Sequence, residues 1–480
     1  MHGLCSTAKM GSSPLSPGCS VSLIWCFDGQ TSSRDEVSQV RGAATTRFET
    51  GERMTLDQSN AGRVLVILTN EYPTVEIGES FIGNELRYIS EPWDEVFFIP
   101  RFPREARFDV LAGTTVQLPT RTLRVPPPSR ADLVNAAARM ALTSTAARSV
   151  LRARPQLPAS SRGPVLLSAA KKVVALEDRV HKAGLLLRHE LAGKRPTFYS
   201  YWFHSSAYVA RRLAEEFGSE AVCRAHRYDL YPSASWDSAW HHACIGGLSA
   251  VFACSRNGQK SLREELPGYS DKIHLSYLGT EDHGIQSFHR LDEFRLVTCS
   301  RRAAVKRLDR VIDALRLAAP HLPPTRWIHL GGSASARDDR LFEEQARRVL
   351  PPHVRIEVKG VVRNAEVVSH YQRERVDLFV NVSDSEGVPV SIMEALSFGI
   401  PVAATAVGGT PEMIRHGENG YLLPLEDVPG SLSRVLTAMA NRDEANVASL
   451  RDRARKSWEN GFCASVNYPK FFERVATLAT

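Results

Sequence analysis

From residue 62 onward, short apolar runs alternate with longer stretches of helical periodicity. Runs at 63–68, 96–99, 116–118, 251–255, 272–277, 294–299, 327–332, 354–360, 376–382 and 402–405 are rich in Val, Ile, Leu and Phe. They have the length of buried strands and fall short of typical helices. The stretches between them carry the turn residues and amphipathic spacing of helices, as at 308–318 and 389–398. Such alternation predicts doubly wound α/β domains, whose ligands sit beyond the carboxyl ends of parallel strands.

The pattern comes in two series. A polar segment at 279–292, with its Gly, His, Gln and Ser, has the composition of a hinge at a cleft. We therefore place a first domain at 62–280, a second at 281–460, and a terminal helix at 461–480 that crosses back onto the first. Residues 1–61 differ, being rich in Ser, Thr, Gly and Arg, and are expected to be disordered. Their apolar patch at 21–27 lacks the basic start and cleavage pattern of a signal peptide. Met54 stands just before the first strand and is the expected natural start. Basic residues beside apolar ones at 133–151 and 165–191 fit either the outer face of an α/β domain or a surface for anionic membranes. The aromatic string 198–204 fits core packing first and sugar stacking second.

One stretch changes the picture most. Residues 384–394, Asp-Ser-Glu-Gly-Val-Pro-Val-Ser-Ile-Met-Glu, follow an apolar strand and open a helix. Pro389 suits the first helical turn, where its missing N–H costs nothing, while Gly399 and Pro401 end the helix. Glu386 then lies at the helix mouth and Glu394 about one and a half turns inside, at roughly 3.6 residues per turn. Two hydroxyl acceptors beside free helical N–H groups describe a site for a sugar phosphate or nucleotide. Taken alone, two such glutamates are ordinary surface charges. Further back, Arg301 and Lys306 flank a basic loop suited to a diphosphate, Arg as a planar fork and Lys as a point charge.

The stretch resembles the donor-binding signature of retaining glycosyltransferases of family 4. The resemblance covers about 62–472 and is strongest after 376. It implies the GT-B fold, an α/β architecture of two Rossmann-like doubly wound domains facing each other across a cleft. It also implies roles: Glu386 contacts the donor sugar, the amides of Gly387 and Val388 meet sugar and phosphate, and Glu394 holds the ribose. Arg301 and Lys306 match the family's phosphate-binding pair. Backbone groups around Val362 are expected to contact the base. In the first domain, the polar cluster at 223–231 is similar to the family's His-bearing loop, so His226 is expected to approach the donor sugar. Arg224 and Asp229 are its neighbours, expected to orient it or meet the acceptor. Gly78, with Glu79, would face the cleft.

The implied reaction moves a hexose from a nucleotide-diphosphate-sugar to a carbohydrate or lipid-linked acceptor with retained configuration, in polysaccharide or glycoconjugate biosynthesis. A sugar-nucleotide epimerase, a phosphorylase or a non-catalytic partner in a polysaccharide assembly complex remain alternatives. No D-x-D triplet is present, and neither metal nor cofactor is expected.

A net charge of +7 favours anionic partners. No nucleic-acid recognition motif accompanies it, so nucleic acid is not expected. The eight cysteines form no C-x-x-C pair, which suits a reducing compartment. No apolar run approaches the roughly 20 residues that span a bilayer. The expected location is cytoplasmic, with peripheral attachment at the inner membrane face as the membrane reading.

Overall fold

The computed structural model describes residues 62–73, 79, 81–102, 118–142, 162–231, 236–287, 292–333 and 335–479. The leader at 1–61, Gly78 and the segment 143–161 lie outside them.

Two parallel sheets organise the chain. The first has seven strands: β1 (Arg63–Thr69), β2 (Glu95–Pro100), β3 (Thr120–Thr122), β4 (Arg195–Ser200), β5 (Ala221–Ala225), β6 (Ala250–Ala253) and β7 (Ile273–Leu275), in the order β3-β2-β1-β4-β5-β6-β7. The second has six: β8 (Phe294–Cys299), β9 (Thr325–Leu330), β10 (Val354–Val358), β11 (Leu378–Asn381), β12 (Val402–Thr405) and β13 (Gly420–Leu423), in the order β10-β9-β8-β11-β12-β13. Each sheet is covered by helices on both faces, which is why β1 and β2 are almost wholly buried and read as unbroken apolar runs. The winding reverses between β1 and β4 in one sheet and between β8 and β11 in the other. Those switch points are where such sheets open a crevice for ligands.

Of the strand expected at 116–118 only Leu118 lies within the described residues, and the edge strand of the sheet is Thr120–Thr122. It is a short strand, half-exposed at the sheet's rim, so apolar content did not mark it. The helix expected at 133–151 is described as Arg130–Leu142. The second basic helix runs Arg162–Leu191 and buries Val173, Leu176, Val180, Ala183, Leu187 and Leu191 in the first domain's core. These side chains of the helix therefore face protein. Among the described residues no helix is long and apolar enough to cross a membrane.

The domains are joined twice near the hinge. Thr280 and Cys463 form a parallel bridge, Trp458 Nε1 donates to Thr280 Oγ1 at 2.8 Å, and Tyr468 OH donates to the Gly279 carbonyl at 3.0 Å. The last helix, Ala464–Leu478, then packs on the first domain through Phe471 against Tyr199 and Phe252, and Phe472 against Trp93.

Candidate active site

The carboxyl edges of the two sheets meet. Beyond β11 the loop at 382–389 brings Glu386 inward, and the helix Val390–Ser397 carries Glu394. Pro389 flanks the first turn and Gly399 takes φ +68°, the left-handed stop expected of it. Gly408, at φ +53°, lies so close that a Cβ there would stand 1.8 Å from the Glu386 carbonyl oxygen. A side chain at 408 would therefore displace the loop that holds Glu386.

Glu386 is buried and paired. Its Oε1 accepts from Lys306 Nζ at 2.6 Å and from Asn381 Nδ2 at 3.2 Å. Arg301 is exposed on the same loop as Lys306, with no side-chain partner among the described residues, while adjacent Arg302 is tied to Asp339 at 2.8 Å. Glu394 is buried and accepts from Asn364 Nδ2 at 2.5 Å. Burial pushes its carboxyl up to about 7, against the opposing effect of Asn364. Val362 lies just before Asn364, half-buried against the core. Asn364, from the stretch expected to contact the base, and Asn381, which sequence reasoning missed, are the side-chain partners of the two glutamates, and a polar residue ending the apolar strand β11 was a usable signal for Asn381.

From the first domain comes His226, immediately after β5. Its ring stacks on Tyr201 at 4.7 Å and lies 4.9 Å from Trp202 and 5.8 Å from Phe81. Burial, and next the Arg224 charge, hold the imidazole well below the usual histidine range, so it is neutral at physiological pH. Nε2 is buried without a partner. Asp229 Oδ2 accepts from the His226 backbone N–H at 2.9 Å, fixing the turn rather than the ring. The aromatic string thus lines the His226 pocket as well as filling the core.

Two expectations need correction. Arg224 is fully buried and faces away from the cleft, with Nη2 3.3 Å from Glu85, Nε donating to Tyr199 OH at 3.1 Å, and its guanidinium 3.9 Å from the Phe471 ring centroid. It braces the core and has no surface with which to meet an acceptor. Glu79 is also spent internally: its carboxylate accepts from the amides of Asn70, Glu71 and Tyr72 and from Trp202 Nε1, pinning the loop after β1.

Several contacts close the cleft. Arg227 Nε donates to the Ser385 carbonyl at 2.9 Å, and a Cβ on Gly387 would lie 3.2 Å from the Arg227 nitrogen and 3.3 Å from Cys254 Sγ. Val388 is buried beside it. Glu412, past β12, accepts from the amides of Arg256 and Asn257 at 2.8 and 2.9 Å and from Tyr277 OH at 2.6 Å. Among the described residues no three His, Cys, Asp or Glu side chains gather as metal ligands.

This arrangement of a paired Glu386, a deeper Glu394 and a basic loop falls inside a segment that matches a known family model. Residues 293–441 match "Glycosyl transferases group 1". Most of the second domain is thus similar to a group 1 glycosyltransferase domain. Among curated proteins, the chain is 33% identical over 111 residues to the putative colanic acid biosynthesis glycosyltransferase WcaL of Escherichia coli, covering 22% of this chain and 27% of that protein. It is 34% identical over 96 residues to the amylovoran biosynthesis glycosyltransferase AmsK of Erwinia amylovora, covering 20% and 23%. These matches span only about a quarter of each relative. Among solved structures, Anabaena HepE in complex with UDP superposes with TM-score 0.61 at 15% identity, over 86% of this chain and 99% of HepE. The outer core galactosyltransferase WaaB gives 0.55 at 15% identity with the same coverage. The chain therefore has the GT-B fold of these structures, two Rossmann-like domains edge to edge.

Proposed function

We propose that the chain transfers a sugar from a nucleoside-diphosphate-sugar, with uridine as the base, to a carbohydrate or lipid-linked acceptor with retained configuration, in polysaccharide assembly. The observation that carries this reading is the Lys306–Glu386 pair at 2.6 Å, set beside Glu394 at the mouth of an interdomain cleft. The uridine assignment draws support from HepE, whose structures are described as complexes with UDP and UDP-glucose. The polysaccharide setting draws on WcaL and AmsK, named for colanic acid and amylovoran biosynthesis.

Each residue has a stated part. Lys306 and Arg301 supply positive charge where the departing diphosphate gains negative charge as the anomeric carbon–oxygen bond breaks. Glu394, once ionised, accepts the ribose hydroxyls, and backbone groups near Val362 contact the base. Glu386 and Nε2 of His226 hold the sugar hydroxyls from opposite domains, so their contribution is alignment of the sugar with the acceptor. Gly387 and Val388 bring backbone close to the sugar and phosphate. No metal or cofactor takes part in this scheme.

The test is a panel of UDP-, GDP- and ADP-sugars screened by thermal shift, followed by transfer assays with glycan and lipid-linked acceptors. UDP released only when acceptor is supplied is the expected result. Sugar-nucleotide conversion without an acceptor would favour an epimerase, and no response to any donor would remove the transferase reading.

A further inference from the structure

The loop after β10 is anchored at both of its ends. Gly360 forms an antiparallel bridge with Gly331, which follows β9. Asn364 opens the ten-residue helix Asn364–Arg373 and donates Nδ2 to Oε1 of Glu394 at 2.5 Å, joining two segments 30 residues apart. Between these anchors Val361 and Arg363 are exposed and Val362 is half-buried. The helix start itself does not depend on the Asn364 side chain, because Glu366 Oε2 accepts from the Arg363 amide at 2.7 Å.

Asn364 is the one side chain that holds the Glu394 carboxyl among the described residues. Glu394 is 7% exposed and has no cationic partner there. Its own helix, Val390–Ser397, packs against Glu444–Gly461, whose Arg455 is paired with Asp282 at 2.6 Å. Lys306 is paired with Glu386 at 2.6 Å. The other titratable groups about Glu394 are the Cys299 thiol, which ends β8, and the Tyr371 phenol, on the helix that Asn364 opens. Burial pushes both upward, so both are neutral at physiological pH.

The single bond has two consequences. A carboxylate on a rotatable side chain has two equivalent oxygens, and fixing Oε1 fixes the direction of Oε2, which has no partner among the described residues. A hydrogen bond from a neutral amide also favours the ionised carboxylate, against the burial that disfavours it. Both the direction and the charge of the acceptor offered to a diol thus pass through the residue that ends the 361–363 loop. A ligand that settles on that loop settles Glu394 as well, which lowers the cost of ordering the second contact.

We propose that Asn364 is a positioning residue for donor recognition: it aims Glu394 at the ribose and couples it to the loop 361–363, so that base and vicinal hydroxyls are read together and the site selects ribonucleotide donors. This rests on the transferase reading and deepens its donor site.

The test compares UDP with 2′,3′-dideoxy-UDP by isothermal titration of the full chain between pH 6 and 9. In wild type, loss of the two hydroxyls should weaken binding by about tenfold or more at pH 8, and in Asn364→Ala by only about threefold. The midpoint of the UDP affinity profile should move from about 7 in wild type to about 8 in Asn364→Ala, since the carboxylate has lost its donor. KM for the donor should rise at pH 7 and recover at pH 9, with kcat near wild type. Asn364→Asp keeps the shape but sets a second carboxyl against Glu394. The two share a proton, so UDP affinity should stay low and rise little between pH 6 and 8. A role confined to the fold would weaken UDP and dideoxy-UDP alike and leave the midpoint in place, and that result overturns the proposal. Should Asn364→Ala misfold, the isosteric Asn364→Asp decides. If UDP does not bind at all, the transferase reading falls, and carbon-13 spectra of the labelled glutamate carboxyls decide the rest, with Glu394→Gln assigning the resonance. A Glu394 titration that moves up in Asn364→Ala keeps the coupling, and one that stays in place overturns it.

Discussion

The two edges that meet at the cleft are built on opposite electrostatic plans. On the second domain, the carboxylates have partners, Glu386 with Lys306 at 2.6 Å, Asp384 with Arg310 at 2.7 Å, and Glu394 with the amide of Asn364 at 2.5 Å, while Arg301 stays exposed. On the first, two polar atoms are left open: Nε2 of His226 inside an aromatic pocket and Oγ of Ser205. A donor bound at the paired edge has to share Lys306 with Glu386. At the open edge His226 Nε2 and Ser205 Oγ are unmet, while Arg179 already donates to the Pro100 and Arg101 carbonyls. On this reading the paired edge is rigid before binding, and the open edge gains order from its ligand.

The sharpest way to break the comparison is through the most deeply buried ion pair among the described residues of the first domain, which belongs to its scaffold. Arg224→Met leaves Glu85 at 1% exposure without its cation. Removing one partner of such a pair costs about 3–5 kcal/mol. Denaturant unfolding should show that loss, with UDP affinity of the surviving folded fraction unchanged. A variant that folds normally but loses transfer would return Arg224 to the site.

Next in size is Lys306→Gln, which strips the paired edge of its cation and leaves buried Glu386 with Asn381 alone. Loss of one preorganised charge at a leaving group lowers turnover by about 10²–10³-fold. Transfer assays should show that fall together with weaker UDP binding. Wild-type turnover would mean that the diphosphate is held elsewhere.

The same contrast explains what the sequence disclosed. The paired edge was legible because its residues are contiguous: 384–394 places two carboxylates, a proline and the helix start in one string, and Arg301 and Lys306 share one loop. Most strands were legible for a related reason, since burial on two faces leaves apolar runs that need no partner to be recognised, but β4 and β13 were not marked as strands. The open edge was not, because it is assembled across the chain. Arg179 meets Arg101 over a separation of 78 residues, and Arg224 meets Glu85 over 139. Arg224 was misplaced for that reason: a charged residue closing a strand resembles a cleft residue until its distant partner is known. Glu79 misled in the same way, its carboxylate serving amides on its own loop.

A pH titration sharpens the paired edge further. Burial raises Glu394 to about 7, above its ordinary value of 4.5, so the folded protein without ligand favours the protonated form below that point. The contribution to stability is therefore present below pH 4.5 and is lost as pH rises through 7. Ribose hydroxyls prefer the ionised carboxylate, so UDP affinity should rise by roughly tenfold between pH 6 and 8, with proton release on binding. Isothermal titration in buffers of different ionisation heat measures both. Glu394→Gln should flatten the profile apart from the titration of UDP itself, and an unflattened profile would take Glu394 out of the nucleotide site.

The smallest effect concerns how the edges are held together. Glu412, from the second domain, sits on the N-terminus of the helix Arg256–Glu265 in the first, where it accepts two backbone amides and the Tyr277 hydroxyl. A carboxylate at a helix N-terminus is worth about 0.3–1 kcal/mol. It is an electrostatic latch across the cleft that uses none of the donor-binding groups. Glu412→Gln keeps the shape and removes the charge, so the closed arrangement should lose about twofold to fivefold in population, by the rule that 1.4 kcal/mol is tenfold. Solution scattering should show a larger radius of gyration without UDP that returns toward wild type with it, and KM for the donor should rise more than kcat falls. Because neither core loses a contact, global stability should stay near wild type. Unchanged scattering and unchanged KM would mean that the edges are held by Arg227 and the backbone at Ser385, and that the contact at Glu412 follows closure instead of favouring it.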